Sequence, residues 1–119
     1  MELERLIAEG NRVEASGDPA GACVLYRRAV ALAPTSARAH LNLGIGLEAA
    51  GDDGGARNAY ERALALEPHN PFANYNLGKL LYTRGAYDDA DQRLTQALAA
   101  RPDFPEARIV RGYARRSLG

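Results

Sequence analysis

The chain has 119 residues, 46% of them apolar and 25% charged, proportions that suit one soluble domain. Its fifteen basic and fifteen acidic side chains cancel, so no net charge draws it to nucleic acid or to an anionic membrane. The single cysteine, Cys23, excludes an internal disulfide and fits a reducing, cytoplasmic setting.

The opening stretch, Met1–Gly10, is acidic and has no long apolar run, so it reads as neither a signal peptide nor a membrane span. Beyond it, several positions recur on one step. Pro34, Pro68 and Pro102 lie 34 residues apart, and Gly10, Gly44, Gly78 and Gly112 keep the same interval. Ala22, Ala56 and Ala90 do so too, as do Ala29, Ala63 and Ala97. A period in this range denotes a stacked array of small units rather than one continuous core.

In chain order, the first unit runs from Leu3 to Ser36 and turns at Ser16-Gly17-Asp18. Asp18-Pro19 reads as an N-cap followed by proline in the first helical turn. Glu9 stands where later units have Leu43 and Leu77, which predicts looser packing at the N-terminus. The second unit, Ala37 to Asn70, places Leu43, Leu47 and Ala50 at i, i+4 and i+7. It turns at Gly51-Asp52-Asp53, and Ala56, Ala59, Tyr60, Ala63 and Leu64 then form a second helical stripe. Asn70-Pro71 opens the third unit, which turns at Arg84-Gly85-Ala86 and ends at Phe104. Pro105 begins a partial fourth unit, read as a capping helix over residues 105–118. The three periodic prolines lie just past second helices, where the chain cannot continue helically.

Glycine inside a helix costs about 1 kcal/mol relative to alanine, so Gly44 and Gly78 predict close helix contact. Tyr26, Tyr60 and Leu94 share one register position and are expected to fill the space between paired helices. Ala39, Ala73 and Ala107 are expected to face the preceding unit, as are Gly46, Leu80 and Ala114. Arg5 and Arg12 hold those positions in the first unit, whereas Arg108, Arg111 and Arg115 fall where a following helix would pack. Charged outer faces suit the ends of an array, so the chain reads as six paired helices and a cap, complete at both ends.

Catalytic chemistry finds no support. His40, His69 and Cys23 are not clustered, so no metal site is expected. Gly44-x-Gly46-x-x-Ala49 lies inside a helix without a preceding strand and predicts no dinucleotide cofactor. Asp88, Asp89 and Asp91 suit a helix N-terminus through its dipole. No Ser/His/Asp or Cys/His set can be assembled.

Asn42-Leu43-Gly44, Asn76-Leu77-Gly78, Gly85-Ala86-Tyr87-Asp88-Asp89-Ala90 and Ala63-Leu64-Ala65-Leu66-Glu67-Pro68 resemble the signature stretches of the tetratricopeptide repeat, an antiparallel pair of helices. The resemblance covers nearly the whole chain. It implies an all-α fold, a right-handed α-solenoid of three helix-turn-helix units (3–36, 37–70, 71–104) plus the cap helix, with a single domain over residues 1–119.

By the same resemblance, first helices line a peptide-binding groove. That gives Leu41, Tyr75 and Ile109 in one row, after Ile7, and Asn11, Ile45, Lys79 and Tyr113 in a second. Asn42 and Asn76 lie in a third row, and Phe72 and Tyr82 flank the face. Asn11, Asn42 and Asn76 are expected to hold a peptide backbone, since an amide both donates and accepts. The apolar and aromatic residues are expected to anchor it. Repeats of this family that hold chaperone C-terminal carboxylates use groove cations. Here Ile7, Phe72 and Asn76 occupy those places, so that specificity is not expected.

The implied function is a non-catalytic scaffold or adaptor that binds a protein or peptide partner, with no cofactor, nucleic acid or membrane. Two alternatives stand beside it: a self-association module forming a homodimer, and a targeting domain of a larger enzyme or complex.

Overall fold

The computed structural model describes residues 1–119. They form seven α-helices: α1 (Glu2–Ala15), α2 (Pro19–Leu32), α3 (Ala37–Ala49), α4 (Asp53–Leu66), α5 (Pro71–Thr83), α6 (Tyr87–Ala100) and α7 (Pro105–Leu118). There is no β-strand. None of the helices is long and apolar enough to cross a membrane. The helices pack as two compact units, Met1–Leu66 with α1–α4 and Glu67–Gly119 with α5–α7.

Local sequence sets the helix ends. The Asp18 carboxylate accepts the Gly21 N–H at 2.9 Å, and Asp52, 34 residues on, accepts the Gly55 N–H at 2.9 Å. Ser36 accepts from Ala39, and Asn70 accepts from both Phe72 and Ala73. Each satisfies donors that a helix start leaves orphaned. Ala86 and Phe104, before α6 and α7, provide no side-chain cap.

The turns inside the pairs share one geometry. Gly17, Gly51 and Gly85 have φ of 93°, 86° and 82°, the left-handed region that only glycine enters cheaply. Around each, the chain folds back with paired bonds: Gly17 N–H to Glu14 and Asp18 N–H to Val13, then Gly51 to Glu48 and Asp52 to Leu47, then Gly85 to Tyr82 and Ala86 to Leu81. This is the Schellman arrangement, which satisfies the last helical carbonyls.

The helical glycines mark where paired helices touch. A Cβ on Gly10 would lie 2.5 Å from the Tyr26 ring, and one on Gly44 would lie 2.4 Å from the Tyr60 ring. On Gly78 it would meet Leu94 at 2.8 Å. Tyr26, Tyr60 and Leu94 are buried, as their shared position predicts. Their surroundings are polar at one point. The Tyr26 hydroxyl shares its one proton between Asn11 Oδ1 at 2.6 Å and Glu14 at 3.1 Å, and the Tyr60 hydroxyl donates to Glu48 at 2.8 Å. Burial, and then the neighbouring Glu14, push the Tyr26 pKa well up; burial and the bond to Glu48 do the same for Tyr60.

In the first unit, Gly46 brings α3 against α2, because its Cβ would meet the Tyr26 ring at 2.8 Å and Cys23 Sγ at 3.2 Å. Ala39 packs with Ile7 and Ala29, joined by Leu3, Leu6 and Val30. Arg38 reaches from α3 to both Glu4 oxygens on α1, and this hydrogen-bonded pairing lowers the Glu4 pKa. In the second unit, Ala107 and Ala114 of α7 are fully buried, and α7 packs against α6 and α5.

One expectation about α7 needs correction. Arg115, expected on the face toward a following helix, instead donates through Nε to Asp91 of α6 at 2.9 Å. Arg108 folds back as well, donating to the Pro102 carbonyl at 2.8 Å. For Arg108 the cause is a local demand for a donor at that carbonyl. His40 Nε2 pairs with the Pro34 carbonyl at 2.9 Å, and Asn74 donates to the Pro68 carbonyl at 3.1 Å. Each periodic proline therefore has its carbonyl met by the side chain six residues later, on the next first helix.

Candidate functional site

Helices α1, α3, α5 and α7 begin the pairs and carry the residues expected to bind a partner. In the first unit, Ile7 is buried and Leu41 nearly so, at 9% exposure. Both therefore belong mainly to the packing of their helices. Ile45 is half-buried, and Asn11 is exposed. The Asn11 Oδ1 already accepts from Tyr26, so this amide helps hold α2 in place and offers only its N–H donors to another molecule.

Asn42 and Asn76 behave differently from Asn11 and like each other. The Asn42 amide donates to the Arg38 carbonyl at 2.9 Å, and Asn76 donates to the Phe72 carbonyl at 2.8 Å. Each bond runs back one helical turn. It fixes the side chain's direction and leaves Oδ1 and one N–H free of that bond. Both residues are half-buried, so their free polar atoms sit at an accessible surface.

The second unit brings aromatic residues together in two groups. Tyr75 and Phe104 lie 4.9 Å apart between ring centroids, and Phe72 lies 5.7 Å from Phe104. Lys79 sits 5.5 Å from the Tyr75 ring, and the Arg101 guanidinium lies 5.3 Å from Phe72 and 4.8 Å from Phe104. In the other group, Tyr82 stands 5.7 Å from Tyr87 and 6.2 Å from Tyr113, and Arg116 covers Tyr113 at 4.9 Å. Tilted rings at these spacings are favourable, as are cations over their faces. Phe72, Ile109 and Tyr113 are exposed, with Tyr75, Lys79 and Tyr82 half-buried.

Sequence reasoning missed Phe104, Arg101 and Tyr87. Phe104 is buried, and its ring underlies both Phe72 and Tyr75. A signal was present: Phe104 precedes Pro105 where Asn70 precedes Pro71 and caps its helix, so an aromatic there has forgone capping for packing.

The reactive side chains are otherwise engaged. Burial raises the Cys23 pKa, which disfavours the thiolate needed of a nucleophile. His40 is committed to the Pro34 carbonyl. No group of three or more His, Cys, Asp or Glu side chains comes together in a form that could hold a metal ion.

Helix pairs with glycine contacts at fixed register, prolines closing each pair and a variable surface on the first helices define an all-α repeat array. Arrays of this type act as protein-interaction modules. Two family models for the tetratricopeptide repeat match the sequence, one over residues 7–71 and one over residues 47–112. The chain belongs to the tetratricopeptide repeat family. No curated protein matches the sequence significantly.

Solved structures give the same fold. The chain is similar to the Sgt2 TPR domain from Aspergillus fumigatus, with a TM-score of 0.93 and 22% identity, over 98% of this chain and 79% of that one. It is similar to a MamA protein at 28% identity and a TM-score of 0.88, over 98% of this chain and 64% of that one. The first TPR of Spaghetti (RPAP3), solved bound to the HSP90 peptide SRMEEVD, matches with a TM-score of 0.92 at 17% identity, over 98% of this chain and 93% of that one.

Proposed function

We propose that the chain is a non-catalytic adaptor that holds a peptide or a helix of another protein against the exposed faces of its first helices. The observation that carries this reading is the paired state of Asn42 and Asn76. Two amides 34 residues apart are fixed by the same bond to their own helix, each with an acceptor left over. A side chain held in advance loses little freedom on binding, and an amide acceptor suits a backbone N–H without reading sequence. The aromatic face of α5 and α7 supplies anchoring area, with Phe72, Tyr75, Tyr82, Ile109 and Tyr113 as its members and Lys79 beside Tyr75. Leu41 and Ile45 are the corresponding apolar residues of α3 in the first unit. Asn11 contributes less than its register suggests, because Tyr26 uses its acceptor.

The RPAP3 domain binds an acidic HSP90 peptide. Its likeness to this chain is one of fold, and the residues here argue for a different ligand. Ile7, Phe72 and Asn76 put no cation at the three positions where carboxylate-holding grooves of this family carry them, and Ile7 is buried. The partner is better matched by an apolar or aromatic segment.

A peptide-display selection against the 119-residue protein, followed by titration of the selected peptides, tests the reading. The Asn42→Ala, Asn76→Ala double variant should bind at least about tenfold more weakly, since each lost hydrogen bond is worth about 1 kcal/mol. Its melting temperature should be nearly unchanged. Equal affinity for both proteins would remove the asparagines from the site.

A further inference from the structure

We propose a separate small-molecule site inside the first compact unit: a crevice between α2 and α4 that takes a medium-chain carboxylate. The hydrocarbon chain lies along α3 and the carboxylate sits between Arg27 and Arg62. Helices α2 and α4 both pack on α3, and no Cα of one comes within 8 Å of a Cα of the other. The gap between them has a volume of about 310 Å³, at the small end of the range for ligand pockets. Its floor is one stripe of α3, with His40, Leu43 and Leu47 at i, i+3 and i+7. His40 and Leu47 are buried and Leu43 is half-buried. His40 Nε2 is already paired with the Pro34 carbonyl. Half-buried Val30 adds an apolar wall from α2.

Small residues on α4 keep the crevice open. Gly55 and Ala59 line it, and Ala59 holds the register position of Leu25 in α2 and Arg93 in α6. The second compact unit shows the effect of the larger residue. Arg93 is half-buried, and its Nη1 donates at 3.4 Å to Asn74 Oδ1, the side chain at the register of His40. A long side chain thus covers that position in α5, and Ala59 is too short to do the same in α3.

Shape and charge select the occupant. The α4 stripe from Asp52 to Arg62 runs for about 15 Å along the helix, which suits a linear chain better than a compact ring. Arg27 is one residue off the 34-residue register of Arg62, so equivalent helices bring the two to one level. Both are exposed, and neither guanidinium has a hydrogen bond or an ion pair within the chain. Asp52, at the other end, is the one carboxylate of the lining, and its Oδ1 accepts the Gly55 N–H. Two guanidiniums hold a carboxylate through charge-assisted bonds, while Val30, Leu43 and Leu47 cover hydrocarbon. An amine head group would meet like charge there.

The probe is octanoate, titrated into the intact protein and followed by amide NMR shifts. Saturation is expected in the millimolar range, as suits a ligand of about ten heavy atoms. The shifts should centre on Leu43, Leu47, Gly55 and Ala59. Acetate, which lacks the chain, should not saturate. Neutral octanediol should bind at least about fivefold more weakly than octanoate. Arg27→Gln, Arg62→Gln alters only exposed side chains, and it should remove the preference for octanoate over the diol. Ala59→Arg, the residue of the next repeat, should abolish binding in a protein that still melts cooperatively. No saturation up to about 20 mM, or shifts centred on Phe72 and Tyr75, would overturn the proposal. So would equal binding of octanoate and the diol by the wild type. None of the crevice residues belongs to the proposed peptide site, so Tyr75→Ala should leave octanoate binding intact and the two readings can fail separately.

Discussion

At the scale of single residues, the glycines of the series look alike in sequence but differ in their surroundings. Gly44 faces the Tyr60 ring at a distance no Cβ tolerates, whereas Gly112 faces open space. Alanine is the better helix former by about 1 kcal/mol in either place, so the two substitutions should have opposite signs. Gly112→Ala should stabilise the protein by about 1 kcal/mol, measured by urea denaturation. Gly44→Ala should destabilise it by about 1–2 kcal/mol net, since overpacking outweighs propensity.

Tyr60 offers a pH test at the same scale. Its folded pKa is raised above its ordinary value of 10 by burial and by Glu48. Folding thus favours the neutral phenol; the stabilisation is whole below pH 10 and is lost as pH rises above it, when the unfolded chain ionises and the folded chain resists. The melting temperature should fall above that pH, and the fall should be shallower in Tyr60→Phe.

At the scale of elements, the caps decide where helices begin. Asn70 accepts two backbone N–H groups at the start of α5, and Asn70→Ala should cost about 1 kcal/mol in thermal or urea unfolding. Helix pairs, turns and the Asp18 and Asn70 caps were legible in the sequence because each depends on local chemistry: a glycine that must take positive φ, an oxygen that must meet a helix start, a proline that must end one. The buried roles of Tyr26, Tyr60 and Leu94 were legible as well, since a 34-residue period places equivalent side chains in equivalent contacts.

What escaped the sequence was tertiary. Arginines on α7 read as outward-facing charge, but Arg115 bonds Asp91 and Arg108 bonds the Pro102 carbonyl. A long side chain can reach back to a partner that register alone does not reveal. Leu41 and Ile7 share a row with half-buried Tyr75 and exposed Ile109, yet are covered by their own unit. Of the candidate site, the aromatic members were readable by position, while Phe104 and Arg101 beneath and beside them were not, because they lie in the connection before α7.

At the scale of the whole molecule, the tetratricopeptide fold supplies rigid helix pairs whose first helices are free to vary on their exposed faces. Here that variation is uneven. The first unit keeps its row mostly buried, while the second exposes aromatic rings with cations laid across them. Aromatic anchors commonly dominate interface energies, so binding energy is expected to concentrate on α5 and α7. The most direct measurement is quantitative affinity capture from a lysate of the source organism, comparing wild type with a Tyr75→Ala variant shown to melt at the same temperature. The account predicts partner proteins retained by wild type and depleted in the variant, with the same loss when a selected peptide competes. Identical retention by the two proteins would contradict it.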